Sequence, residues 1–180
     1  ADDMFYNACG LYIVFREMEN GGFDSLVSAF IEESHHPLTK EVVYINHDMD
    51  STFVHGKVHK LAYLKEKNIR FCERLTVHED SYFNVLVQDL APDKEKVKYC
   101  PVDFYLWKWR DGSTVRYDSF VLRTYDTLGL ARERICRELI ARGNKLQACY
   151  YAAMFLFDGY YAYSVPHYNT EENKPYLEKA

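Results

Sequence analysis

The stretch Phe53–Asn84 reads FVHGKVHKLAYLKEKNIRFCERLTVHEDSYFN, and the rest of the chain is best read outward from it. Ser51 and Thr52, just before it, are helix-capping residue types. Val54, Val58, Leu61 and Leu64 then recur at helical spacing, which predicts a helix as far as Asn68. Ile69-Arg70-Phe71 reads as a short extended piece. His78-Glu79-Asp80 opens a second helix with the apolar face Phe83, Leu86, Val87 and Leu90, stopped by Ala91-Pro92.

Towards the N-terminus, Met4 to Met18 carries Phe5, Ala8, Cys9, Tyr12 and Phe15 on a helical period, closed by Asn20-Gly21-Gly22. Phe23 to Ile31 alternates and is rich in strand formers, and Glu32-Glu33 is expected to end it. Pro37 marks a loop and Glu41 to Ile45 a second strand. Downstream, Lys96 to Tyr99 and Val102 to Trp109 read as two strands, with Asp111-Gly112 as a turn signal. From Thr127 the character becomes helical. Leu128 to Arg142 and Leu146 to Tyr163 are predicted helices joined by Gly143-Asn144, and the polar tail from Pro166 to Ala180 is predicted to fray. The fold class is therefore α/β, α+β-like in its order, with a short mixed sheet, flanking helices and a C-terminal helical hairpin. The expected divisions are residues 1–126, 127–165 and 166–180.

Composition narrows the classes. The 180 residues are one domain, or one with a helical appendage, at roughly 150 residues per domain. Apolar residues are 48% and charged residues 27%, which excludes wholesale disorder. Twenty-two Lys and Arg against 27 Asp and Glu give a net charge of −5 with no basic block, which argues against a nucleic-acid partner. The 16 Tyr, 11 Phe and 2 Trp are the unusual number; such side chains suit cores, interfaces and sugar-stacking sites alike. Five scattered cysteines (Cys9, Cys72, Cys100, Cys136, Cys149), without a C-x-x-C, read as free thiols in a reducing, cytoplasmic setting. No leader-like segment and no uninterrupted apolar run near 18 residues is present, so neither export nor a membrane span is expected.

Several residues invite chemical readings beside plain ones. Glu79-Asp80 at a helix start is, by residue type alone, a cap, because first-turn N–H groups favour a carboxylate. His55 and His59, four apart on a predicted helix, have zinc spacing with His47 or His78, yet no Cys/His quartet with finger spacing accompanies them and packing is the simpler reading. Lys57 either faces a phosphate or is a solvated lysine. Arg110 and Ser113 either line a site's mouth or close a hairpin. Trp107 and Trp109, two apart on a strand, share a face and either stack on a sugar ring or pack the core. The run Tyr150, Tyr151, Tyr160, Tyr161, Tyr163 reads as the packing face of the last helix, or as a dimer contact.

Gly56-Lys57, a basic amphipathic segment, Asn68-Ile69-Arg70-Phe71 and then Glu79-Asp80-x-x-Phe83 form a compound pattern. It resembles family 2 glycosyltransferases, enzymes of the GT-A type of nucleotide-binding fold. The aromatic strand Phe104-Tyr105-Leu106-Trp107-Lys108-Trp109-Arg110-Asp111-Gly112-Ser113 is similar to the strand that follows in that family. Ala1-Asp2-Asp3-Met4-Phe5 resembles the inside of its D-x-D-D metal motif, with no counterpart for the first Asp. The resemblance covers about Ala1 to Arg116 and concerns the acceptor-side, C-terminal portion. It implies roughly 90–100 further residues upstream for the nucleotide-holding βαβ units, each of about 30 or more.

The resemblance implies an inverting enzyme that moves a sugar from a nucleotide-sugar donor to an acceptor hydroxyl, with this fragment inactive on its own. Asp80 would be the general base, with Glu79 as its neighbour. Asp2 and Asp3 would hold Mn²⁺ or Mg²⁺ against the leaving diphosphate. Lys57, Arg110, Ser113 and Trp109 would contact donor or acceptor. The alternative expectation is a non-catalytic interaction module on a transferase scaffold. Under either reading, a sheet cut at its central strand leaves an open edge that favours a homo-oligomer.

Overall fold

The computed structural model describes residues 3–50, 52–91, 96–110, 125–164 and 170–178. The elements in chain order are β1 (Met4–Phe5), α1 (Ala8–Gly21), β2 (Ser25–His35), β3 (Val42–His47), β4 (Lys57–His59), α2 (Leu61–Glu66), α3 (Glu79–Asp89), β5 (Val97–Trp107), α4 (Tyr125–Ala141), α5 (Lys145–Ser164) and α6 (Lys174–Leu177). Two compact units divide them, Ala1–Ile69 with Val87–Asp111 and Arg70–Leu86 with Gly112–Ala180. The architecture is mixed α/β. Ser113, Asp2 and the turn at Asp111-Gly112 lie outside the described residues.

The first unit is built on an open mixed sheet in the order β1-β5-β2-β3, with β4 also paired to β2. β2 and β5 run parallel at its centre, while the other pairs are antiparallel. β2 is long enough to hold two partners on one side. Ser25 to Val27 face β4, and Phe30 to His35 face β3. α1 covers the sheet through Val14 and Met18, which pack with Leu26, Cys100 and Phe104. Asn7 caps α1 by accepting from the Gly10 N–H at 2.9 Å, and Gly22 closes it at φ +65°.

Four sequence expectations change here. The N-terminal helix starts at Ala8, because Met4 and Phe5 pair with Leu106 and Tyr105 as a strand. Its inward residues are Gly10, Val14 and Met18, whereas Tyr12 and Phe15 of the expected apolar face are exposed. Glu32-Glu33 does not end β2, since Glu32 meets His47 at 2.8 Å and Glu33 accepts from Tyr44 Oη and the Trp109 N–H. The two strands expected after Lys96 are one, β5, which carries Pro101 through an irregular register: Ser28 faces Cys100, but Ala29 faces Asp103 and Ile31 faces Leu106.

The largest change concerns residues 51–68. Among the described residues 52–68, Leu61–Glu66 alone is helical, and Lys57–His59 is strand. Gly56 is the cause. It stands at φ +68°, its carbonyl accepts from the Ser28 N–H at 2.9 Å, and a Cβ there would lie 2.8 Å from Ser28 O and 2.9 Å from Ala29 O. Pairing with the backbone of β2 overrides the helical spacing of Val54, Val58 and Leu61.

In the second unit α4 and α5 form the expected hairpin. Gly143 at φ +84° and Asn144 close α4, with Asn144 N donating to Leu139 O at 2.8 Å. Ala131, Ile135, Leu139 and Ala148 are buried there. The tail holds a short helix, α6, where fraying was predicted. No helix among the described residues is long and apolar enough to cross a membrane.

Candidate functional site

In the first unit the chemistry gathers around His55, just before the Gly56 turn. Its ring stacks on Tyr105 (5.1 Å between centroids, 20° between planes) and on Trp107 (4.9 Å, 29°). Phe53 stacks on it and Phe30 meets it edge-on at 5.2 Å. Burial holds the His55 imidazolium below its ordinary pKa. The charge of Asp3 opposes that, Lys57 reinforces it, and Asp50 and Glu32 oppose it more weakly. The neutral ring is thus framed by three carboxylates and one ammonium.

Asp3 is fixed from both sides. Tyr105 Oη donates to its Oδ2 at 2.9 Å, and the Lys108 N–H donates to Oδ1 at 3.2 Å. Burial, together with the hydrogen bond and charge of Asp3, pushes the Tyr105 hydroxyl up to about 12, so it remains a donor throughout the physiological range. Asp50 shapes the approach to His55, its Oδ1 accepting from the N–H groups of Thr52 (2.8 Å) and Phe53 (2.9 Å). Lys57 is half-buried and its ammonium donates to the Phe53 carbonyl, so it is not simply a solvated lysine.

Trp109 and Arg110 follow β5. The Trp109 N–H donates to Glu33 Oε1 at 3.2 Å, and its ring lies edge-on to His35 at 4.6 Å. Trp107 instead meets Phe53 and His55, so the two tryptophans, expected on one face, have separate neighbours. Arg110 is exposed.

Glu79 and Asp80 belong to the second unit and stand in the first turn of α3. His78 precedes them at φ +63°, a left-handed conformation uncommon for a residue with a Cβ, and its carbonyl accepts the first helical hydrogen bond from Tyr82 N at 3.1 Å. Asp80 Oδ1 accepts from the Ser81 N–H at 2.9 Å, and both acidic residues are half-buried. Burial, then the charge of Arg132, hold His78 below the usual imidazole range. His78 thus sits beside two carboxylates at a helix N-terminus, where the partial positive charge of the helix favours negative groups.

Asp3 and Lys57 therefore converge on His55, Trp109 and Arg110 continue the neighbouring strand, and Glu79 and Asp80 form a separate pair in the other unit. His55 and His59 do not share a helix. His59 ends β4, with Nδ1 2.8 Å from Ser25 Oγ. Among the described residues no group of three or more His, Cys, Asp or Glu is placed to hold a metal ion. Of the two residues expected to hold a metal, Asp3 is the one within the described residues, and both of its carboxylate oxygens accept hydrogen bonds, from Tyr105 and Lys108 N. Tyr105 escaped the sequence reading as the partner of Asp3. Its alternation with Trp107 in F-Y-L-W, which puts both on one side of a strand, was the available signal. Comparison with protein-family models, with curated proteins and with solved structures finds no match to this chain.

Proposed function

We propose that this chain is the acceptor-side portion of an inverting, family 2-like glycosyltransferase of the GT-A type, which moves a sugar from a nucleotide-sugar donor to an acceptor hydroxyl. The observation that supports this most is the placement of Glu79-Asp80 in the first turn of α3, straight after the left-handed His78. Asp80, in the first turn of α3, accepts the proton of the acceptor hydroxyl as its oxygen bonds to the anomeric carbon. The bond from that carbon to the donor's phosphate oxygen breaks, and the nucleoside diphosphate leaves with the electron pair. Glu79 supports the anionic environment.

Mn²⁺ or Mg²⁺, held by Asp2 and Asp3 with diphosphate oxygens, would neutralise the leaving group's charge. Tyr105 and Lys108 N orient Asp3 for that role. Lys57, Trp109, Arg110 and Ser113 are assigned to donor and acceptor contacts.

The test is Asp80→Asn in a chain extended upstream by roughly 100 residues, the length of about three βαβ units. Loss of the base should lower Mn²⁺-dependent sugar transfer by about 10²–10⁴-fold, with nucleotide-sugar affinity retained. Turnover near the wild-type rate would sink the assignment of Asp80. No turnover of any common donor by the unaltered long chain would favour the second reading, a non-catalytic interaction module. The exposed Phe5, Tyr12 and Phe15 of β1 and α1 are the observation behind that reading.

A further inference from the structure

α5 packs on α4 along one side only. Ala148 is buried and Tyr151, Phe155 and Asp158 are half-buried, all within the same half of the helical circumference. On the opposite side Leu146, Tyr150, Ala153, Phe157, Tyr160 and Ser164 are all exposed. They follow one another in alternating steps of four and three residues. That spacing, a mean near 3.5, is the one that lets two helices keep a seam in contact along their length. Leu146 is 84%, Phe157 64% and Tyr160 72% exposed, which is far beyond what a lone surface aromatic needs. Met154 and Leu156 widen the strip on its two flanks.

We propose that α5 pairs through this seam with α5 of a second copy of the chain, forming a two-fold symmetric dimer. Area is the first argument. At roughly 200 Å² for a large side chain, Leu146, Tyr150, Met154, Leu156, Phe157 and Tyr160 leave on the order of 800 Å² exposed, which is what each partner of a standard interface buries.

Charge is the second argument. No charged residue lies on the strip, so identical surfaces meet without repulsion. The helix carries only Lys145 and Asp158, and Asp158 is paired with Arg132. Tyrosine hydroxyls can turn to the wet margin, and Ala153 at mid-seam leaves room for close approach.

The same features disfavour a lipid surface as occupant. A helix that lies on a membrane carries Lys and Arg on its polar side, and this one has a single lysine at its first residue in a chain of net charge −5. The proposal is independent of the transferase reading.

Sedimentation of the full chain at high micromolar concentration tests it. The expected result is a dimer that Phe157→Glu converts to monomer, weakening association by on the order of a hundredfold because a carboxylate is forced into an apolar seam. Circular dichroism should stay unchanged, since Phe157 faces away from α4. Should Phe157→Glu lose helicity, Leu146→Glu in the first turn carries the same test. A monomeric wild type overturns the proposal, and so does a dimer that survives both substitutions. Cosedimentation of a monomer with vesicles of phosphatidylserine and phosphatidylcholine overturns it in favour of lipid.

Discussion

His59 shows how one half-buried side chain makes the fold sensitive to acid. Burial, reinforced by the Lys57 charge, lowers its pKa from 6.5 to about 4, and Nδ1 is held at 2.8 Å by Ser25 Oγ. Below pH 6.5 the unfolded chain takes up a proton that the folded chain refuses until about pH 4. Stability therefore rises with pH across that window, by on the order of 3 kcal/mol from this group. Urea unfolding at a series of pH values should show the slope, and His59→Gln should flatten it. An unchanged slope would mean that His59 is solvated. The sequence showed a histidine at this position but not its environment, since Ser25, which it meets, lies 34 residues away. The acidic pair Glu79-Asp80 was legible because its cue is local, a helix start. The pairing of Asp3 with Tyr105 was not, because their bond joins residues 102 apart.

At the scale of elements, α1 offers a test in which packing opposes propensity. Gly10→Ala would gain about 1 kcal/mol in an isolated helix. In the fold its Cβ would stand 2.3 Å from the backbone oxygen of Asp103, so α1 or β5 has to move. We expect a net loss of roughly 1–3 kcal/mol, read as a lower urea midpoint with an unaltered slope. Equal or higher stability would show that α1 sits further from β5. The same competition explains what the sequence did and did not disclose. Helix α3 and the α4–α5 hairpin follow their own apolar spacing and their terminating residues, so they were legible. β4 was not, because Gly56 reads as an ordinary residue until the Ser28 N–H and the carbonyls beside it are in place.

At the scale of the whole molecule no disulfide joins the elements, and all five cysteines are free. Thermal melting should accordingly be indifferent to reductant. Cys9, exposed on α1, should react with a thiol reagent in the native state, whereas Cys100, buried against Val14 and Leu26, should react only on unfolding. Rapid native labelling of Cys100 would contradict the core described for the first unit. The α/β class was legible from alternating and helical periods, while the sheet order was not, since the β1–β5, β2–β4 and β2–β5 pairs are fixed by contacts distant in sequence and the β2–β3 hairpin alone is local. The irregular register of β5 has a consequence for how this sheet tolerates change in length. Between Ser28 and Ile31 the opposite strand advances from Cys100 to Leu106, three residues more than β2 does. Three is odd, and side chains alternate, so the surplus sets the phase in which Tyr105 and Trp107 arrive beside His55. Removing one residue from this passage would turn both rings to the far side of the sheet, while removing two would leave them where they are. The strand thus counts in pairs: an even change in its length keeps both rings beside His55, and an odd one does not.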